Sequence, residues 1–209
     1  MKAPLLVIRT FGIVAVLAVL TLALSLVAMR GATPNDASAQ VRFVREMIQH
    51  HSQAIDMAIR IRDRSADPDL RTVALDMTLA QQDQVGQMRG WMTQWGVPWA
   101  GQAMTAEHAR QMGMATSGDV ESLSTLPVKD AEVKFLRLMI RHHEGALAMA
   151  KPMLNDTRPE IRSLARNIQT TQSSEIALMK TFLQQRGATS AAPTNSTDMQ
   201  DMPGMNHSH

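Results

Sequence analysis

Residues 43–58 have the sequence FVREMIQHHSQAIDMA, and residues 135–150 repeat this pattern as FLRLMIRHHEGALAMA, 92 positions later. Both copies contain a His-His pair between a Met-Ile dipeptide and a Met-Ala dipeptide. The similarity continues beyond them: after a slip of one residue, PDLR at residues 68–71 corresponds to PEIR at residues 159–162. The chain is therefore a tandem duplication of one unit.

Each unit is predicted to be a helical hairpin. Apolar residues and the His pair of the first copy recur every three or four positions, which is typical of an amphipathic helix. Asp67 and Pro68 then supply an N-cap and a proline at the first helical position, and Gly96 is suited to end the second helix. The same pattern predicts helices over residues 129–151, where a proline follows, and over residues 159–186.

Two such hairpins bury their apolar faces by packing against each other. This predicts an all-α fold, an antiparallel four-helix bundle with pseudo-two-fold symmetry. The predicted bundle covers residues 37–187, with repeat 1 over 37–96, a connector with one or two short helices over 97–128, and repeat 2 over 129–187. Residues 188–209 lack apolar periodicity and are predicted to form a flexible tail rich in Met and His.

Residues 1–30 are predicted to direct the chain across a membrane. The segment from Phe11 to Met29 has no charged residue and is 19 residues long, whereas a signal-peptide core usually has about 7–15. This length favours an uncleaved membrane anchor, while an A-x-A sequence at residues 37–39 leaves cleavage as a signal peptide open. In both cases the basic residues before the apolar segment predict export, with the remainder anchored or free in the periplasm or outside the cell.

Composition excludes several classes of function. The chain has 209 residues and no Cys, so disulfides, zinc fingers, iron–sulfur clusters and a Cys nucleophile are excluded. Four Phe, three Trp and no Tyr leave little material for stacking nucleobases. Three of the 21 basic residues precede the first acidic residue, Asp36, so the rest of the chain carries 18 basic against 19 acidic side chains. A nucleic-acid partner therefore has no electrostatic support.

The chemistry of the chain lies in its 17 Met and seven His residues. Met at helical spacing is usually core filler, and a single buried His is usually structural, but two matched His pairs bracketed by Met favour a metal site. Thioether and imidazole suit Cu(I), and imidazole also holds Cu(II). Neighbouring His residues point about 100° apart around a helix, so the two members of a pair are expected to face different neighbours.

The second helix of each hairpin carries polar residues inside an apolar stripe. Such residues need buried partners, and a facing imidazole is a suitable one. In the first repeat the stripe contains Gln81, Gln84 and Met88. In the second it contains Gln172, Glu175 and Met179.

Two further clusters of Met and His lie outside the duplicated helices. The connector carries Met104, His108 and Met112 at a spacing of four residues, followed by Met114. The tail has no core to fill, so packing does not explain its Met and His residues, which are Met199, Met202, Met205, His207 and His209.

The doubled motif Phe-x-x-x-Met-Ile-x-His-His-x-x-Ala-x-x-Met-Ala resembles the DUF305 family of ferritin-like bacterial proteins, over about residues 40–187. Residues 112–114 also resemble the Met-rich connector of that family. The resemblance implies an exported copper-binding protein linked to copper resistance. By motif, the candidate ligands are Met47, His50, His51, Met57, Met88, Met139, His142, His143, Met149 and Met179.

The two repeats depart from each other at two polar positions. Gln84 corresponds to Glu175, and Gln40 corresponds to Glu132. We therefore expect the two halves to bind metal unequally.

Three functions compete. A copper-binding protein would sequester or transfer Cu(I), with a copper exporter or an oxidase as donor or acceptor. A ferritin-like metal-dependent oxidase needs Glu-x-x-His on paired helices, which this sequence lacks, and a copper oxidase lacks any sign of a substrate pocket. A sensory module is disfavoured because the leader leaves almost nothing on the cytoplasmic side. A non-enzymatic role is favoured, with the oligomeric state and the number of ions left open.

Overall fold

The computed structural model describes residues 18–21, 33–101 and 104–190, and it divides into two units, Met1–Pro34 and Asn35–His209. In the first unit residues 18–21 are helical, and the rest of the predicted leader segment lies outside the described residues. No helix within the described ranges is long and apolar enough to cross a membrane. The tail beyond residue 190 also lies outside the description.

The second unit is a helical bundle, as predicted. Its four long helices are α1 (Ala39–Arg64), α2 (Pro68–Gln94), α5 (Val128–Ala150) and α6 (Pro159–Gln185). Two short helices, α3 (Ala106–Gln111) and α4 (Ser117–Thr125), lie in the connector, and a 3₁₀ turn at Lys151–Met153 follows α5 where Pro152 interrupts the helix. No β-strand occurs in the part of the chain that the structure describes.

Local sequence signals account for the helix ends. The Asp67 side chain caps α2 by accepting hydrogen bonds from the backbone N–H groups of Asp69 and Leu70. Gly96 and Gly187 follow α2 and α6 with φ angles of 71° and 65°, a conformation that glycine adopts without strain. The second helix of each hairpin therefore ends just before the glycine that the sequence pattern offers as its stop.

The apolar core consists of two halves. Apolar half I joins the end of α1 and the start of α5, and its methionines are Met57, Met77, Met139 and Met179. Apolar half II joins the start of α1 and the end of α5, and its methionines include Met47, Met88, Met92 and Met149. Half I also contains the start of α2 and the end of α6, and half II contains their opposite ends. Neighbouring long helices therefore run antiparallel.

A layer of buried polar residues separates the two halves. On each long helix these residues lie between the segments that belong to half I and half II. The layer contains four histidines, which we call the imidazole layer (His50, His51, His142 and His143), and two buried glutamines, Gln81 and Gln172. The middle of the core is therefore polar, although a stable bundle needs no such layer.

Gln40 and Glu132, the second pair of positions at which the repeats differ, lie at the ends of the bundle. Glu132 accepts hydrogen bonds from Ser65 Oγ (2.6 Å) and from Arg186 Nε (3.0 Å). In the equivalent position Gln40 Nε2 donates to Asp156 Oδ2 at 2.7 Å. Both residues hold the end of one hairpin against the other, so this difference between the repeats concerns packing.

Candidate metal centre

The centre of the imidazole layer is a pair of stacked rings. His50 on α1 and His142 on α5 occupy equivalent positions of the two repeats, and their ring centroids are 3.6 Å apart with 31° between the planes. Both side chains are at most 1% exposed. Because the two rings are related by the duplication, they lie at the pseudo-two-fold axis of the bundle.

The other two imidazoles lie further out, each 6.3 Å from its neighbour in sequence and tilted by 52° in both repeats. His51 Nε2 lies 2.6 Å from Gln84 Oε1, and His143 Nε2 lies 2.8 Å from Glu175 Oε2. The prediction that the members of a pair face different neighbours agrees with this geometry, as does the predicted pairing of imidazoles with residues 84 and 175.

The expected role of the other two glutamines is wrong. Both polar side-chain atoms of Gln81, and the side-chain oxygen of Gln172, are buried without a hydrogen-bond partner in the described part of the chain. Neither residue pairs with an imidazole, because the His51 and His143 rings are already held one helical turn further along, at positions 84 and 175.

The connector covers one side of the layer. The backbone carbonyl of Met112 lies 3.0 Å from His50 Nε2. A Cβ atom on Gly145 would lie 1.8 Å from that carbonyl oxygen, and one on Gly113 would lie 2.2 Å from the carbonyl oxygen of Arg141. Both positions therefore require glycine, since any side chain would push the connector away from α5.

In repeat 1 the residue equivalent to Gly145 is Gln53, which fixes the connector in a different way. Its amide donates to the Ala115 carbonyl (2.9 Å) and accepts from the Ala115 N–H (2.8 Å). The connector is thus held to α1 by hydrogen bonds and to α5 by close backbone packing. Sequence reasoning missed this cover, for which the only signals are the glycines at 113 and 145.

Burial keeps three of the imidazoles, those of His50, His51 and His142, uncharged at neutral pH. Desolvation, and then the proximity of His51, lower the pKa of His50 to about 3. Desolvation lowers the pKa of His51 to about 4, partly opposed by the bond to Gln84. The pKa of His142 is lowered well below its usual range by burial and then by His50. Neutral imidazole is the form that binds metal ions, so no proton has to leave these three rings first.

The methionines predicted as ligands on the long helices are buried on both sides of the layer. Three of them lie in apolar half I (Met57, Met139 and Met179) and three in apolar half II (Met47, Met88 and Met149). They therefore do not converge on one point. Met77 and Met92 join the two halves as buried methionines that the sequence prediction did not include as ligands.

The donor set fits a soft monovalent ion. Nδ1 of His50, His51 and His143, and both ring nitrogens of His142, are buried without a hydrogen-bond partner in the described residues. Within the same residues no three His, Asp or Glu side chains are grouped as a metal site. A site here would have to combine one or two imidazoles with thioethers, which is the ligand chemistry that Cu(I) prefers.

The connector cluster does not form one helical stripe. The helix α3 spans only six residues, with Thr105 as its N-cap, so Met104 precedes it and Met112 ends it before Gly113. His108 Nε2 lies 3.3 Å from Glu46 Oε1 on α1. Met112 packs against apolar half II, and Met104 and Met114 are half-buried. The predicted tail ligands, Met202, Met205, His207 and His209, lie outside the described residues.

A cleft of about 480 Å³ between α2 and α6 leads towards the layer. Gln84 lines this cleft, and its Nε2 donates to Asn167 Oδ1 on the facing helix at 3.0 Å. Asp83 and Glu160 add carboxylates to the lining. Gln84 is therefore the link between solvent and the fully buried His51 ring.

The fold and the buried imidazoles define a class of protein, the helical bundles that hold a ligand or metal ion inside the core. The chain belongs to the DUF305 family, since the family model, described as a domain of unknown function (DUF305), matches residues 40–183 and 153–209. No curated protein matches the chain.

Solved structures agree with this family. A DUF305 fragment from Deinococcus radiodurans is 49% identical, covering 73% of this chain and 99% of its own, with a TM-score of 0.69. A DUF305 protein from Streptomyces coelicolor, described as a candidate secreted protein, is 36% identical over 77% of this chain and 100% of its own, with a TM-score of 0.70. CopM in its Cu(I)-bound form is 30% identical over 71% of this chain and 96% of its own, with a TM-score of 0.59.

Proposed function

We propose that the protein binds copper ions as cargo, with Cu(I) preferred, and sequesters or transfers them after export. The observation that carries this proposal is the imidazole layer, in which buried nitrogens without partners lie between two groups of thioethers. CopM has been solved in Cu(I)-bound and Cu(II)-bound forms, and at 30% and 31% identity it supports the same ligand class for this chain.

The duplication supports two core sites in corresponding positions, one on each side of the imidazole layer, that differ in strength because Glu175 stands where the first repeat has Gln84. A site formed with thioethers of apolar half I has a counterpart in apolar half II, because the two halves exchange under the pseudo-two-fold axis. The proposed core ligands are therefore drawn from the four imidazoles together with Met57, Met139 and Met179 on one side and Met47, Met88 and Met149 on the other.

Residues outside the core extend the proposal. Met104, His108, Met112 and Met114 in the connector, and the four predicted ligands of the tail, are proposed to capture ions at the surface with lower affinity. We also propose that residues 1–30 export the chain, leaving it anchored or released. The candidate secreted relative from Streptomyces coelicolor supports export.

Carboxylate chemistry is less well supported than copper binding. The buried Glu132 is held by Ser65 and Arg186 at the bundle end, and Glu175 is hydrogen-bonded to His143. A di-iron oxidase would need several inward carboxylates around one point, and no such group occurs among the described residues.

A competition titration tests the proposal. The full chain is titrated anaerobically with Cu(I), in the presence of a reductant and a chromophoric Cu(I) chelator, with Zn(II) in a parallel series. We expect two tightly bound Cu(I) ions in the core and much weaker Zn(II) binding. A variant with all four layer histidines changed to Leu fills these buried positions with apolar side chains and should lose both core ions.

The control is a chain shortened after residue 190, which should lose only ions held by the tail. Circular dichroism of each variant shows whether the helices persist. Unchanged Cu(I) binding after the four histidine replacements and the removal of the tail would disprove the proposed core sites.

A further inference from the structure

We infer that the layer offers its Nδ1 atoms to the metal, and that Met112, Gln84 and Glu175 are positioning residues that hold the opposite Nε2–H groups. This inference rests on the proposed copper-binding function and identifies the donor atoms. A neutral imidazole has one N–H and one lone pair, so the partner of one nitrogen decides which nitrogen can bind metal.

Two of the three partners have no proton to donate. The Met112 backbone carbonyl, 3.0 Å from His50 Nε2, only accepts hydrogen bonds. The Glu175 carboxylate, 2.8 Å from His143 Nε2, also accepts. Nε2 therefore carries the proton in both rings, and a metal ion that leaves these hydrogen bonds intact has to approach Nδ1.

The third partner is the Gln84 amide, which is hydrogen-bonded at both ends. Gln84 Nε2 donates to Asn167 Oδ1 at 3.0 Å, which turns Gln84 Oε1 towards His51 Nε2 at 2.6 Å. His51 therefore has the same tautomer as His50 and His143. Nδ1 of all three rings is buried and has no hydrogen-bond partner in the described residues, so the lone pair is free for a metal ion.

The three acceptors differ in charge, and this distinguishes the two repeats. A carboxylate behind the ring makes the opposite nitrogen more basic than a neutral amide does. His143, backed by Glu175, is therefore a stronger donor than His51, backed by Gln84. Both ring nitrogens of His142 are buried, and no acceptor in the described residues fixes its tautomer as Met112, Gln84 and Glu175 do, so the inference concerns the other three rings.

Nitrogen NMR on the full chain, labelled with ¹⁵N in histidine, tests the assignment. In the metal-free protein, three buried imidazoles should show the Nε2–H tautomer. On addition of Ag(I), a diamagnetic analogue of Cu(I), their Nδ1 signals should shift while the Nε2–H protons remain. An Nδ1–H tautomer in the metal-free protein, or loss of Nε2–H protons on metal binding, overturns the inference alone. If neither Ag(I) nor Cu(I) binds, the proposed function fails as well.

Variants at Glu175 test the positioning role. Glu175→Gln keeps an acceptor, whereas Glu175→Leu removes it. Loss of an outer hydrogen bond to a ligating imidazole typically lowers metal affinity by about 10–100-fold, so we expect that loss in E175L and partial rescue in E175Q. The His143 Nε2–H signal should persist in E175Q and be lost in E175L.

The matched variant in the other repeat is Gln84→Glu, which should raise the Cu(I) affinity of the His51 half. Equal affinity and equal His143 spectra in E175L and E175Q would overturn the positioning role. The His143 NMR signals and the order of the Cu(I) affinities distinguish positioning from a simple loss of stability, because a loss of stability would not change the tautomer of His143 or of His51.

Discussion

Acidification should destabilise the metal-free protein between pH 7 and pH 5. The pKa of His50 is about 3 and that of His51 about 4, against 6.5 in an unfolded chain, chiefly because both rings are buried. Below pH 6.5 the unfolded state therefore takes up protons that the folded state refuses. The free energy of unfolding therefore decreases as the pH is lowered through this window. It levels off once the folded protein is also protonated, near pH 3–4.

The magnitude follows from the size of the window. Each pKa unit corresponds to about 1.4 kcal/mol, and pH 5 lies 1.5 units below the unfolded pKa, so each ring costs about 2 kcal/mol at pH 5. The two rings together cost about 4 kcal/mol, and His142, whose pKa burial also lowers, adds a loss of the same sign. This is a large fraction of the stability of a typical domain.

Urea unfolding at pH 7, 6 and 5, followed by circular dichroism in the presence of a chelator, measures this loss. The Thr116 hydroxyl holds the pKa of Asp119 below 3.8, so that carboxylate loses its contribution only in stronger acid and does not affect this range. A variant with His50 and His51 changed to Leu should show a much flatter pH dependence. A wild-type loss below about 1 kcal/mol by pH 5, or an equal loss in the variant, would refute the reasoning.

Two further predictions concern the parts that hold the layer in place. Gly145→Ala places a Cβ atom against the Met112 carbonyl and should cost about 1–3 kcal/mol in urea unfolding, whereas Gly86→Ala, with no atom within 4 Å, should stabilise α2 by about 0.5–1 kcal/mol. Similar effects of the two changes would contradict the close packing of the connector. Glu132→Ala removes the acceptor of Arg186 Nε and of Ser65 Oγ and should cost about 1.5–3 kcal/mol without changing the number of Cu(I) ions bound. A lost ion would place Glu132 in the metal site.

Much of the fold was predictable from sequence because its signals are local. Asp67 and Pro68 start a helix, and Gly96 ends it, through interactions within one turn. The pairing of His51 with Gln84 was also predictable, because a polar residue in an apolar stripe needs a buried partner.

The connector's contact with His50 was not predictable, because His50 pairs with the backbone carbonyl of Met112 and every residue has such a carbonyl. The division of the methionines was also missed. Met47 and Met57 share one face of α1, but ten residues at 1.5 Å each separate them by about 15 Å along the helix axis. Met47 and Met57 therefore lie on opposite sides of the imidazole layer although they belong to the same helix face, and the sequence pattern shows only the shared face.

The stacked pair of His50 and His142 has a further consequence for how the protein depends on concentration. Each hairpin supplies one ring, so two separate hairpin chains would have to associate to form the pair, and dilution would separate them. The connector makes this association intramolecular, so the pairing of the two rings does not depend on how dilute the chain is. A duplicated, tethered chain therefore keeps its ligand layer assembled at any protein concentration, which a two-chain version would do only when abundant.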